Sequence, residues 1–299
     1  MRRIRSSRRL LRLAPSSAGR GPRRTWRLVA AAVALGPCGL AAACSGDAAG
    51  GTTVGDRDAA QAPAAPAVIR PSPAPYRLAT SGAMGTIAGS VRLAGDPPPD
   101  STIRPTMDVR VCGASFVDRT IVRRGEGLGD VVVWLVDVGA GKPLPARRRF
   151  TLDNVRCRLE PRVQAVIAGG TLNVRSSDAL LHRTRALRHG SEQVLARWEH
   201  NDFGQVVPDD RVLREPGLIE LRSEVHPWTR GWIAVFDHPY FVVTPPSGVF
   251  TLDGVPPGSY TLAAWHERFG RVEQPVTVAA GQATPVTITF GTAADSGGP

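Results

Sequence analysis

The side chains of this sequence best suited to chemistry are six histidines (His182, His189, His200, His226, His238 and His266) and four cysteines (Cys38, Cys44, Cys112 and Cys157). Imidazoles and thiolates together are ligands for borderline and soft metal ions. Two thiols left over in an oxidising compartment are instead a disulfide. Patterns for other chemistries are missing from the sequence. There is no Ser/His/Asp nucleophile setting, no HExxH helix and no glycine-rich phosphate loop after a strand. No pair of carboxylates has a context that would raise a pKa. The sequence therefore reads as a protein that is not an enzyme.

The compartment is written in the first residues. Residues 1–27 hold ten arginines and no acid, Leu28–Leu35 is apolar, and Gly36-Pro-Cys-Gly leads to Leu40-Ala-Ala-Ala-Cys44. A positive segment, an apolar segment and small residues before a cleavage point form the order of a secretory signal peptide. The apolar run falls short of the roughly 20 residues of a spanning helix and is broken by Pro37. Leu40–Cys44 resembles a lipobox, which implies a signal peptide over 1–43 and lipidation of Cys44. It departs from the usual pattern in that Ala41, not the leucine, stands three before the cysteine. Ser7-Arg8-Arg9-Leu10-Leu11 and Arg23-Arg24-Thr25-Trp26 each resemble a twin-arginine signal, and either export route is open. Removing the ten leader arginines from the formal charge of +11 leaves +1, so the basic character belongs to the leader. No general field for nucleic acid remains. The expected location is extracytoplasmic, with the membrane as a partner through the lipid anchor and an envelope protein or a carbohydrate as ligand. Ser45, where an aspartate would favour the inner membrane, points to the outer membrane of a two-membrane cell.

Only Cys112 and Cys157 then remain in the folded part, and they read as a disulfide. The alternative, a thiolate metal ligand, requires Cys157 to lie near His182.

The elements that position these residues are strands. Residues 44–83 are rich in Ala, Pro, Gly and Ser and read as a disordered tether. Residues 291–299 read as a frayed tail. Between them short β-branched or alternating runs recur: Thr86–Leu93, Asp130–Val136, Arg162–Ile167, Thr171–Val174, Leu218–Ser223, Trp232–Phe236, Val249–Leu252, Ser259–Trp265, Gln274–Val278 and Thr284–Phe290. Gly, Pro and Asp-Gly punctuation predicts an all-β chain of two β-sandwich modules, over 84–237 and 238–290. Gly85–Gly95 is expected to open the first, although its composition matches the second. Leu195–His200 hints at a helical turn.

In the second module Ser247-Gly-Val-Phe-Thr-Leu-Asp-Gly-Val-Pro-Pro-Gly-Ser-Tyr-Thr-Leu-Ala-Ala-Trp-His266 gives strand, Pro-Pro-Gly turn and strand, with Phe250, Leu252, Tyr260 and Leu262 facing inward. This run resembles the carboxypeptidase-regulatory-like, transthyretin-like sandwich, also grouped with carbohydrate-binding-like folds and the small β-domain of rhamnogalacturonan lyases. The resemblance implies a scaffold.

Residues 153–232 resemble exported bacterial cupredoxin-like proteins. The matching stretches are Leu152-Asp-Asn-Val-Arg-Cys157-Arg-Leu-Glu-Pro161, Ala168-Gly-Gly-Thr-Leu-Asn-Val-Arg-Ser-Ser-Asp178-Ala-Leu-Leu-His182, Glu215-Pro-Gly217 and Ser223-Glu-Val-His226-Pro-Trp-Thr-Arg-Gly-Trp232, with Asp237-His-Pro-Tyr240 and Trp265-His-Glu267 trailing. The resemblance implies a first histidine after the Ser-Asp turn, a Cys-x-x-His run, a methionine and a histidine three after the first. His182 and His226 are present, but the thiolate position is Ser223, the methionine position is Thr229 and the extra histidine position is Arg185. A hydroxyl is not ionised near neutral pH and is too hard for Cu(I), so no type 1 copper cofactor is expected. Two readings of the histidine pair stand. They are a residual two-imidazole site for Cu(II) or Zn(II), helped by Glu224 or His189, or inherited positions that only hydrogen-bond at the loop end; the second is preferred. His189 and His200 read as solvated, and His238 and His266 as packed against aromatics. Trp134, Trp228, Trp232 and Trp265 read as core or seam, whereas a sugar platform would expose two of them side by side.

The function these features imply is a non-catalytic, envelope-anchored lipoprotein with a binding or structural role. The rivals are a periplasmic metal-binding or electron-transfer protein and a carbohydrate-binding module.

Overall fold

The computed structural model describes residues 69–79, 82–146 and 148–291. The signal peptide, Cys44, most of the tether and nearly all of the tail lie outside the described residues. Among those described, the chain is all-β apart from the one-turn helix Val109–Cys112, and it forms two β-sandwiches.

One sandwich is built from residues 149–236. One of its sheets has the spatial order Arg158–Glu160, Arg149–Val155, Thr171–Ser176, Val206–Asp209; the other runs Val163–Ile167, Arg230–Phe236, Gly217–Ser223, His182–Arg188, Val194–His200. Leu172 and Val174 alternate inward along their strand and meet Leu152, Ile219, Leu221, Ile233 and Val235. Residues 195–200, expected as a helical turn, are strand. Trp198 and His200 face inward while Arg197 and Glu199 face out, which is period two.

The other sandwich is not the continuous 238–290 block expected from the sequence. Gly85–Leu93 lies between Val249–Val255 and, in parallel register, Ala283–Phe290, and Val132–Val136 lies between Phe241–Val243 and Gly258–His266. Two strands expected in the first module are thus interior strands of the second, and the sandwich of residues 149–236 is inserted between Val132–Val136 and Phe241–Val243. The reason is burial. The inward residues Ile87, Val91, Val133 and Leu135 pack with Phe250, Leu252, Leu262 and Phe290 in one core that the strands of 238–290 alone do not fill. Tyr240 locks the junction. Its buried hydroxyl donates to Gly254 O (2.7 Å) and accepts from Lys142 N (2.8 Å). A Cβ at Gly141 would fall 1.9 Å from that oxygen, so only glycine fits there.

The two sandwiches share a third apolar layer. Val132 and Trp134, Trp232, Ala234 and Phe236, and Ala263 and Trp265 point away from their own cores into this seam. That is why Val131–Val136 and Gly231–Phe236 read as unbroken apolar runs: each is buried on both faces. The end of the expected tether is docked here too. Ile69 is buried in the seam, Ser72 donates N–H and Oγ–H to Asp237 (2.7 and 2.8 Å), and Arg77–Leu78 pairs in parallel with Ala140–Gly141. Ile69 and Tyr76 give this proline-rich stretch apolar anchors that composition alone did not weigh.

His238 and His266 are buried beside Phe236 and Phe269 respectively, as expected. Burial pushes both pKa values down from 6.5 to about 4. The folded protein holds them neutral, whereas the unfolded chain takes up protons as the pH falls through 6.5. Their contribution is therefore complete above pH 6.5 and lost on the way down to pH 4, by up to about 3 kcal/mol each. Urea midpoints at pH 7 and pH 4.5 check this, and a midpoint unchanged over that interval would contradict it.

Candidate functional site

The two histidines carried by the resemblance converge. His182 opens strand His182–Arg188, and His226 sits in the turn between Gly217–Ser223 and Arg230–Phe236. Pairing of Thr184 with Ser223 brings the strand ends together, and the rings lie 5.0 Å apart between centroids, both fully buried. The turn closes through Ser223 N donating to Thr229 O (3.1 Å) and Thr229 N to His226 O (2.8 Å).

Ser223 and Thr229 are already engaged. Ser223 Oγ accepts from His226 N (3.0 Å) and Val225 N (3.3 Å), which is the ordinary work of a serine at the mouth of a turn. Thr229 Oγ1 donates to Cys157 O. Arg185 pairs with Glu224 at 3.0 Å, and Glu224 also lies 3.9 Å from Arg183. Glu224 is therefore held by cations rather than offered to a metal. His189 does not join the site, because its ring packs edge-on against Trp232 and Trp265 (5.2 and 6.0 Å) in the seam. Nor is His200 solvated: it is buried, with Nε2 2.9 Å from Val174 O.

Cys112 and Cys157 form a disulfide, as expected. Its place was not expected. The ligand atoms of Cys157, Asp178 and His182 lie within 4.8 Å of one another, and so do those of Cys112, Cys157 and His226. The hairpin turn at Arg156 and Cys157, both at positive φ, folds back over the start of strand His182–Arg188. The nearness of Cys157 to His182, which the sequence left open as the condition for a thiolate ligand, is met, but with the sulfur tied in the bridge.

Two carboxylates that the sequence reading left out orient the imidazoles. Asp178 accepts from Arg156 N (2.7 Å), Cys157 N (2.8 Å) and His182 Nε2 (3.0 Å). Burial opposes its ionisation, but the hydrogen bonds from His182 and from the Cys157 and Arg156 amides outweigh burial and hold its pKa below the usual carboxylate range. Asp108, in the left-handed conformation before helix Val109–Cys112, makes no cap and lies 3.1 Å from His226 Nε2. Burial pushes the His226 pKa down, and nearby His182 adds to this against the pull of Asp108. An ionised carboxylate only accepts, so Nε2 carries the proton and the neutral ring keeps its lone pair on Nδ1. Asp178 was visible in the quoted Ser-Ser-Asp178 turn; the segment around Asp108 carries no pattern that would have singled it out.

The donor set does not fit a type 1 copper ion. The cysteine sulfurs are joined to each other, and the hydroxyls at the thiolate and thioether positions are spent on backbone groups. A trigonal plane of one thiolate and two imidazoles has no thiolate here.

A second feature is a cleft of about 1060 Å³ flanked by Phe116, Arg158, Arg162, Trp228, Trp232 and Glu267. In it Arg162 Nη2 donates to Glu267 Oε2 (2.9 Å), which also accepts from Trp232 Nε1 (2.9 Å).

The carboxypeptidase regulatory-like domain family model matches residues 233–291. It leaves out the two interior strands Gly85–Leu93 and Val132–Val136 that complete that sandwich. No curated protein matches. Among solved structures, the chain is similar to the reduced state of an amicyanin variant (19% identity, 29% of this chain and 81% of that one, TM-score 0.26). It is also similar to a purple cupredoxin from Nitrosopumilus maritimus (16% identity, 29% and 98%, TM-score 0.25). A copper-containing nitrite reductase from Thermus scotoductus matches as well (20% identity, 35% and 25%, TM-score 0.26).

Proposed function

We propose that the protein is a non-catalytic lipoprotein of the cell envelope with a binding or structural role, built on a cupredoxin-like sandwich without a type 1 copper site. One observation carries this reading: at the loop end of the sandwich both sulfurs are tied in a disulfide, and Ser223 and Thr229 are committed to backbone partners. An electron-transfer role lacks its thiolate. A carbohydrate platform lacks its surface, since Trp134, Trp198, Trp232 and Trp265 are 3–6% exposed and Trp228 stands without an exposed tryptophan beside it among the described residues. The cleft over Arg162 and Glu267, with both charge signs and aromatic edges, is the place for a small polar ligand or a partner loop.

The test is the metal content of the protein purified from its native envelope without affinity-tag histidines. Well below one copper per chain is expected, and one copper per chain would overturn the reading. Anchoring rests on Leu40–Cys44. The exported protein should partition into detergent and Cys44→Ala should not; a wild type that stays in the aqueous phase would remove the anchor from the account.

A further inference from the structure

The two imidazoles at the loop end are prepared for something the oxidised protein does not supply. His182 and His226 are each 0% exposed, and the Nδ1 atom of each has no hydrogen-bond partner. A buried polar atom without a partner is costly, and here there are two in one cluster. On the far side of each ring Nε2 is held by a carboxylate, Asp178 at 3.0 Å and Asp108 at 3.1 Å. A carboxylate behind an imidazole is the usual support of a metal-ligating histidine, because it fixes the tautomer and raises the basicity of the free nitrogen. The neighbours that complete such a site are the two sulfurs. Cys157 reaches the His182 group and both cysteines reach the His226 group within 4.8 Å.

We infer that the Cys112–Cys157 disulfide is the closed form of a Cys2His2 cation site, opened by reduction and filled by Zn(II) through both sulfurs and the Nδ1 atoms of His182 and His226. Opening is a two-electron step. A small dithiol gives up two electrons and two protons and becomes its own disulfide, while the Cys112–Cys157 bond breaks to two thiols. Zn(II) then displaces the two thiol protons, leaving a neutral centre of two thiolates and two imidazoles. Nitrogen and sulfur donors in fours suit tetrahedral Zn(II). Oxidation reverses both steps and expels the cation, so metal occupancy reports the thiol poise of the compartment. Asp108 and Asp178 are positioning residues that act through the histidines. This inference goes beyond the binding or structural role proposed above and does not depend on it.

The experiment uses the exported protein, oxidised or reduced with a phosphine under anaerobic conditions. Zn(II) affinity is read by competition with a chromophoric chelator, and Co(II) serves as the spectroscopic probe. Reduced wild type is expected to take one ion per chain more than about 100-fold tighter than the oxidised form, with thiolate-to-Co(II) charge transfer and tetrahedral visible bands. His182→Ala and His226→Ala should each weaken binding by about 100-fold. Asp178→Asn should weaken it by about 10- to 100-fold while keeping the tetrahedral spectrum. Reduced protein that binds no tighter than oxidised protein overturns the inference. So does a reduced protein, folded or not, whose Co(II) spectrum and affinity are unchanged by the histidine variants, since that would show two stray thiols. An exported wild type that stays in the aqueous phase on detergent partition would sink the anchored function proposed above and leave this outcome unaffected.

Discussion

Replacing Cys112 and Cys157 together by alanine lowers the unfolding free energy by about 4 kcal/mol. The cysteines are 45 residues apart in sequence, and closing a loop of that size removes that much chain entropy from the unfolded state. The bridge also joins two parts of the chain that are far apart in sequence. Cys112 ends a single helical turn in the segment between the strands Gly85–Leu93 and Val132–Val136, and Cys157 is in the hairpin turn of the inserted sandwich. Urea denaturation of the double variant beside the wild type measures the effect. A loss under about 1 kcal/mol would mean that other contacts already fix the segment.

Trp232→Ala is expected to cost about 3–5 kcal/mol, the range for emptying a large aromatic site in a packed interior. Trp232 is 6% exposed, its ring lies 5.0 Å from Trp265 and 5.2 Å from His189, and its Nε1 donates to Glu267. The cavity would open in the seam, where neither sandwich can close it by moving alone. Trp232→Phe keeps most of the ring and loses the indole donor, so about 1–3 kcal/mol is expected for the stranded Glu267 acceptor and the lost volume. Equal costs for the two variants would show that the hydrogen bond, not the packing, holds the seam. A negligible cost for Trp232→Ala would show that the layer is not cooperative with either core.

Local pattern carried the strands well, because alternation and unbroken apolar runs are written in consecutive residues. Thr171–Val174 and Val249–Leu252 read as strands for that reason, and they lie within the observed Thr171–Ser176 and Val249–Val255. Leu195–His200 was misread because it has only two fully buried positions, Trp198 and His200 on either side of Glu199, too few to fix the period. The insertion was hidden for a different reason. Pairing of Gly85–Leu93 with Ala283–Phe290 spans nearly the whole folded chain, and no local signal states a partner. A hint existed in the shared composition of Gly85–Gly95 and the C-terminal strands, and another in Val131–Val136, whose two apolar faces require two apolar neighbours. At the site, His182, His226 and the cysteine pair were legible. The carboxylates and the closeness of Cys157 to His182 were not, since they depend on where two turns fold back.

While its disulfide is intact, the loop end of the inserted sandwich offers no thiolate to copper. The most direct measurement is the visible spectrum of the oxidised protein with one equivalent of Cu(II). Strong absorption near 600 nm comes from thiolate-to-Cu(II) charge transfer and requires sulfur in the ligand plane (about the usual position for such bands). A nearly colourless protein is expected, with at most weak ligand-field absorption from Cu(II) on His182 and His226. An intense blue or purple band would contradict it, by showing that Cys112 or Cys157 is a free thiolate facing the two histidines.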